Sequence, residues 1–186
     1  MRPDRSLTIV YYLEKSVLQR KIMKIKKLST FEYLLYIGIV AVGILLDQLT
    51  KRLAVKFLLP IDTVPIIRDA LHLTYAENRG AAFGILANSR WVFLIISTAA
   101  ILAMAFYLFS GLSEGRLAGI ALSMLIAGGI GNMIDRIALG YVVDFIDFRL
   151  INFAIFNGAD SFVCVGAGLL ILALLRDVIR EGKEKG

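Results

Sequence analysis

Four stretches of this chain carry no charge at all: residues 33–46, 91–113, 117–134 and 161–175. Only the 91–113 run is long enough to cross a bilayer unaided, since a spanning helix needs about 20 apolar residues. The other three must bring their terminal charges into the membrane boundary or hard against it. The pattern predicts four helices, at about 31–52, 90–111, 116–135 and 159–177. A long connection, 53–89, joins the first two and holds Pro60 and Pro65. Inside it Leu71, His72, Leu73, Thr74 and Tyr75 alternate apolar with polar, which predicts a short strand. Asn78, Arg79 and Gly80 then read as a turn. The link at 111–115 is short, and no internal repeat or second domain is visible.

Composition agrees with this reading. The chain of 186 residues is 58% hydrophobic and only 19% charged. Its mean hydropathy is +0.75, far from a soluble globular average. A net charge of +6 could suggest nucleic acid, but the basic residues gather at the ends. Arg2, Arg5, Lys15, Arg20, Lys21, Lys24, Lys26 and Lys27 lead the first apolar segment, and Arg176, Arg180, Lys183 and Lys185 follow the last. That is the positive-inside pattern, so both termini are expected in the cytoplasm and no nucleic-acid partner is expected. The expected organisation is a basic tail over 1–28, a membrane domain over 29–177 and a basic cytoplasmic tail over 178–186. The first tail could lie on an anionic leaflet as a helix or stay unstructured, and Met23 is an alternative start.

Topology then sorts the charges. Odd helices run outward and even helices inward, so Asp47, Lys51, Asp135, Arg136, Asp144 and Asp160 all fall at the extracytoplasmic boundary. Ionisable groups at such depth are costly and usually functional. Asp47 and Lys51 are spaced i, i+4 and can pair on one helix face. Asp135, beside Arg136, suits an ion-pair role that positions the following loop. Asp144 and Asp160 flank one short loop. Two carboxyls in a water-poor site can share a proton and perform acid–base chemistry, although a structural polar network remains open. Asn132 and Asn157 could cap helix ends. Gly128, Gly129 and Gly131 suit close helix packing. One cysteine, Cys164, and one imidazole, His72, make a zinc site improbable, and both are read as structural. No cofactor is expected. A proton relay would place acids at several depths, which this chain does not do within its three later apolar runs. A non-catalytic assembly factor would tolerate loss of Asp144.

Four motifs carry a resemblance: Asp47-Gln48-Leu49-Thr50-Lys51; Asn78-Arg79-Gly80-Ala81-Ala82-Phe83-Gly84; Gly128 to Arg136, continuing as Gly140-Tyr141-Val142-Val143-Asp144-Phe145; and Phe156-Asn157-Gly158-Ala159-Asp160-Ser161. In this order they resemble the lipoprotein signal peptidase family, signal peptidase II. The resemblance implies an all-α membrane protein of four transmembrane helices with a small extracytoplasmic β-sheet. It implies an intramembrane aspartic endopeptidase of the bacterial inner membrane, with its active site at the outer face. The substrates implied are diacylglyceryl-modified prolipoproteins, cut before the lipidated cysteine. Asp144 and Asp160 would form the catalytic pair. Asp47, Lys51, Asn78, Gly80, Asn132, Asp135, Arg136 and Asn157 would bind substrate or support the site. Membrane lipids and prolipoproteins are the expected partners of a monomer. Gly158 departs from the motif, where a larger apolar residue is expected.

Overall fold

The computed structural model describes residues 27–80, 90–113 and 115–184. Most of the 1–28 tail, the Met23 start and the Ala81 to Gly84 part of the second motif lie outside these residues. Helix α1 covers Thr30–Leu58. Ser29 opens it: its hydroxyl accepts from the Glu32 amide at 3.2 Å, and the Glu32 carboxylate accepts from the Ser29 amide at 2.9 Å. That reciprocal box satisfies two amides that have no intrahelical partner. The helix runs six residues past the predicted end at 52. Nothing breaks it before Pro60, which lacks the N–H to continue the ladder. The added turns bury Ala54 and Leu58 beneath the sheet, against Val143, with Val64, Leu73 and Tyr75 around them.

Strand β1, Thr63–Ile67, pairs antiparallel with β2, Leu71–Asn78, and β2 pairs antiparallel with β3, Val142–Phe148. The sheet order is β1-β2-β3. The predicted strand at 71–75 is therefore the centre of the sheet and extends to Asn78. A bulge between Leu73 and Ala76 shifts the register, setting Ala76 opposite Asp144 and Asn78 opposite Val142. Bulges re-aim side chains, and this one lies beside the two residues that meet in the site described below.

Helices α2, Arg90–Phe109, α3, Gly115–Ala138, and α4, Gly158–Glu184, complete the chain. Together with α1 they are long and apolar enough to cross a membrane. Helix α4 continues well past 177, so residues 178–184, expected as a tail, are its last turns. Helix α3 is the central one: half of its apolar window is buried, against 6–17% in the others. It can be central because it is narrow. A Cβ on Gly128 would overlap the Ala159 carbonyl and come within 2.7 Å of Val163, so α4 packs directly on α3 backbone. The Tyr36 ring lies where a side chain on Gly119 would stand. Tyr36, Ile101, Leu108, Leu122 and Ile126 form the main buried cluster between α1, α2 and α3. Outward faces remain apolar, as lipid contact requires.

Candidate active site

The sheet end of the bundle holds a connected set of buried polar groups. Its base is Lys51, on α1 and only 3% exposed. Its ammonium has three hydrogens and three acceptors: Asp47 Oδ2 at 3.0 Å, Asp135 Oδ2 at 3.1 Å and Asn132 Oδ1 at 2.9 Å. An ammonium can make no more bonds than that. Asp47 also accepts from the Ala159 amide at 2.8 Å, in the first turn of α4. Asp135 accepts from the Val143 amide at 3.0 Å, at the start of β3. Two carboxylates and one lysine thus tie α1, α3, α4 and the sheet together. Gln48 braces the same knot: the two hydrogens of its Nε2 are shared among Asp135 Oδ1 at 2.9 Å, Asp47 Oδ2 at 3.2 Å and the Gly131 carbonyl at 3.3 Å. Sequence reasoning passed over Gln48. The available signal was an amide beside Asp47 in an otherwise greasy helix.

Asn132 joins this base to the acid pair. It lies inside α3, not at a helix end, so the capping role considered for it does not apply. Its Oδ1 is occupied by Lys51 and by Asn157 Nδ2 at 3.1 Å. Its Nδ2 is thereby turned to Asp160 Oδ1, at 2.7 Å. Asn157 does cap α4: its Oδ1 accepts from the Asp160 amide at 3.0 Å, and Asp160 Oδ2 accepts from the Asn157 amide at 3.2 Å. Its Nδ2 donates to Asp144 Oδ1 at 2.6 Å. Asn157 therefore bonds both Asp144 and Asp160, and one residue sets their relation. Asn78 donates to Asp144 Oδ2 at 3.0 Å, while its own Oδ1 accepts from the Gly80 amide at 3.0 Å. That second bond is an Asx turn, and it fixes which face of the Asn78 amide meets the acid.

Asp144 is 2% exposed. Burial pushes its carboxyl up to about 7, the charge of Asp160 adds to the rise, and hydrogen bonds from Asn78 and Asn157 oppose it. Asp160 faces a cleft of about 600 Å³ shared with Asn78, Arg136, Phe93, Phe153 and Phe156. Arg136 spans its wall. It donates to the Gly80 carbonyl at 3.1 Å and lies 4.8 Å from the Phe93 ring centre. Cys164, read as structural, is exposed and lines this cleft one turn below Asp160. His72 is buried within the sheet, opposite Asp147 in the β2–β3 register. The room at Gly158 is ordinary: a Cβ would sit 3.5 Å from Asp47 Oδ1, so the motif departure opens no gap that the structure needs. All ten residues singled out from the sequence thus meet at one end of the bundle, in one hydrogen-bonded set.

Chemically, such a set offers two carboxyls that compete for a proton, an arginine at the cleft wall and amides that hold both acids still. Four spanning helices capped by a small sheet, with an acid pair between them, define a multi-pass membrane protein of the intramembrane aspartic peptidase class. The family model described as Signal peptidase (SPase) II matches residues 39–176, and the chain belongs to that family. A lipoprotein signal peptidase of Caldanaerobacter subterraneus subsp. tengcongensis is 51% identical over 134 residues, 72% of this chain and 91% of that protein. The lipoprotein signal peptidase of Bacillus subtilis is 42% identical over 154 residues, 82% of this chain and 100% of that one. A solved structure, described as a bacterial membrane enzyme determined by the in meso method at 1.9 Å, aligns with a TM-score of 0.69 at 36% identity. The alignment covers 76% of this chain and 93% of that one.

Proposed function

We propose that the chain removes signal peptides from diacylglyceryl-modified bacterial prolipoproteins, with Asp144 and Asp160 as the catalytic pair. Family membership supports the reaction. The observation that carries the residue assignment is the shared Asn157, which bonds both the buried Asp144 and Asp160, the acid that lines the open cleft.

The chemistry follows from two acids holding one proton. The ionised carboxylate takes a proton from water, and the protonated carboxyl donates to the scissile carbonyl oxygen as water adds. The tetrahedral intermediate then collapses. The leaving nitrogen receives a proton from one acid, the hydroxyl that becomes the new carbonyl gives its proton to the other, and the pair returns to its singly protonated state. Four aspartates against two cations in this cluster, Lys51 and Arg136, favour retention of that proton. Asn132, Asn78 and Asn157 hold the acids in place, so little ordering is left for the moment of reaction. Arg136 is suited to carbonyl oxygens of an extended substrate segment.

The cleft opens between helices, which suits a substrate arriving from lipid. The basic ends of the chain support cytoplasmic termini and an active site at the outer face.

The test is cleavage of a lipidated precursor by purified protein. Asp144→Asn and Asp160→Asn should each abolish turnover while the thermal transition stays in place. Turnover retained in either variant would remove that residue from the pair.

A further inference from the structure

A second cleft opens on the opposite side of the Lys51 knot. It holds about 430 Å³ between α1, α3 and the start of β3. Its inner wall is Gln48, Lys51 and Asp135, the back of the network that positions Asn132. Its rim carries Arg52 and Lys56, both exposed.

These two cations are not used by the fold. Among the described residues, Lys51, Arg79 and Arg149 form ion pairs, and neither Arg52 nor Lys56 takes part in them. Arg52 has no polar partner there, and Lys56 only lies 5.1 Å from the Phe57 ring centre. They are spaced i, i+4, one helical turn apart, so their heads can converge on one anion. The same stripe of α1 continues through Leu49 and Leu45, which are 50% and 66% exposed. The stripe is therefore cationic at the sheet end and apolar for the next two turns along a spanning helix. A molecule complementary to it has an anionic head and a long apolar tail.

We propose that this cleft binds one anionic phospholipid, its phosphate between Arg52 and Lys56 and an acyl chain along Leu49 and Leu45. Lysine and arginine side chains beside a spanning helix attract anionic headgroups by the same electrostatics on either face. A free anion would find the cations and leave the apolar stripe unused, so the tail distinguishes the lipid from phosphate. The bound headgroup rests against Gln48 and the Lys51–Asp135 pair. Occupancy therefore braces the network from the side away from the acids. The binding step does not rest on the peptidase reading.

The test uses the full chain in detergent micelles, supplied with phosphatidylglycerol or phosphatidylcholine and examined by native mass spectrometry. The wild-type chain should retain one phosphatidylglycerol in preference to phosphatidylcholine by about tenfold or more, as two converging cations imply. The Arg52→Gln/Lys56→Gln variant should lose that preference. The charge-matched Arg68→Gln/Arg176→Gln variant, altered at exposed sites elsewhere, should keep it. Equal retention of both lipids by the wild-type chain would overturn the site. So would an unchanged preference in the first variant, or an equal loss in the second, which would mean bulk charge alone. Full displacement of the lipid by millimolar inorganic phosphate would reassign the cleft to a free anion. All of these readouts stand whether or not the chain cleaves anything.

Discussion

Replacing Lys51 with methionine tests the buried knot directly. Methionine is close in volume and keeps the apolar stem, so the change leaves little cavity and removes mainly the charge. Three contacts at 2.9–3.1 Å disappear with it. Asp47 and Asp135 remain behind, 1% and 4% exposed. Each keeps a backbone amide and a bond from Gln48, so neither is left without a donor. They are nonetheless two buried carboxylates without a counter-charge. Breaking a buried pair in this way costs about 3–5 kcal/mol. Unfolding of detergent-solubilised protein, followed by denaturant or heat, should show that loss. The double variant Lys51→Met/Asp135→Asn should recover part of it, about 1–3 kcal/mol, because one uncompensated charge is gone. Cleavage measured below the unfolding transition should also fall in the single variant. Asn132 loses one of the two donors that turn its Nδ2 towards Asp160, keeping only Asn157. A loss of stability below about 1 kcal/mol would refute the reasoning, since that is the worth of a solvated surface pair.

Further predictions concern the acids, the cleft and the helix contact. The Asp144 carboxyl lies near 7, well above its value in an unfolded chain. Its contribution to stability is therefore full in acid and is lost as pH climbs through about 7. Turnover needs the singly protonated pair, so kcat/KM should fall on the alkaline side of about 7, and a profile flat to about pH 9 would contradict this. Arg136→Lys replaces a planar fork by a point charge and should raise KM several-fold on a lipidated precursor; unchanged kinetics would mean that Arg136 serves only to hold the Gly80 carbonyl. Gly128→Ala drives a methyl into α4 backbone and should cost about 1–3 kcal/mol in unfolding experiments. Gly158→Ala meets nothing closer than 3.5 Å and should be nearly neutral for stability. Cleavage should persist in excess chelator, measured with the same precursor.

The sequence by itself determined the four spans, because charge-free runs and basic flanks are local properties that a bilayer reads directly. It also determined that the ionic residues gather at one end, since alternating passes leave no other place for them. Asp47 and Lys51 pair as their i, i+4 spacing requires, and Asn157 caps the helix that it precedes. The tertiary structure alone decided the rest. Strands β1 and β3 have no clean alternation: β1 carries Pro65 and a register shift between Pro65 and Ile67, and in β3 the consecutive Val142, Val143 and Asp144 are all buried, so both faces of that strand are covered. The ends of α1 and α4 moved outward, since packing beneath the sheet and continued helix propensity outweighed the charges that seemed to mark boundaries. Asn132 changed from a possible cap to the link between Lys51 and Asp160, contacts more than 25 residues apart in the chain. Gln48 gained its role only from three acceptors on two elements. Hydrogen bonds between distant residues depend on how helices approach one another, and spacing along a single chain does not encode that approach.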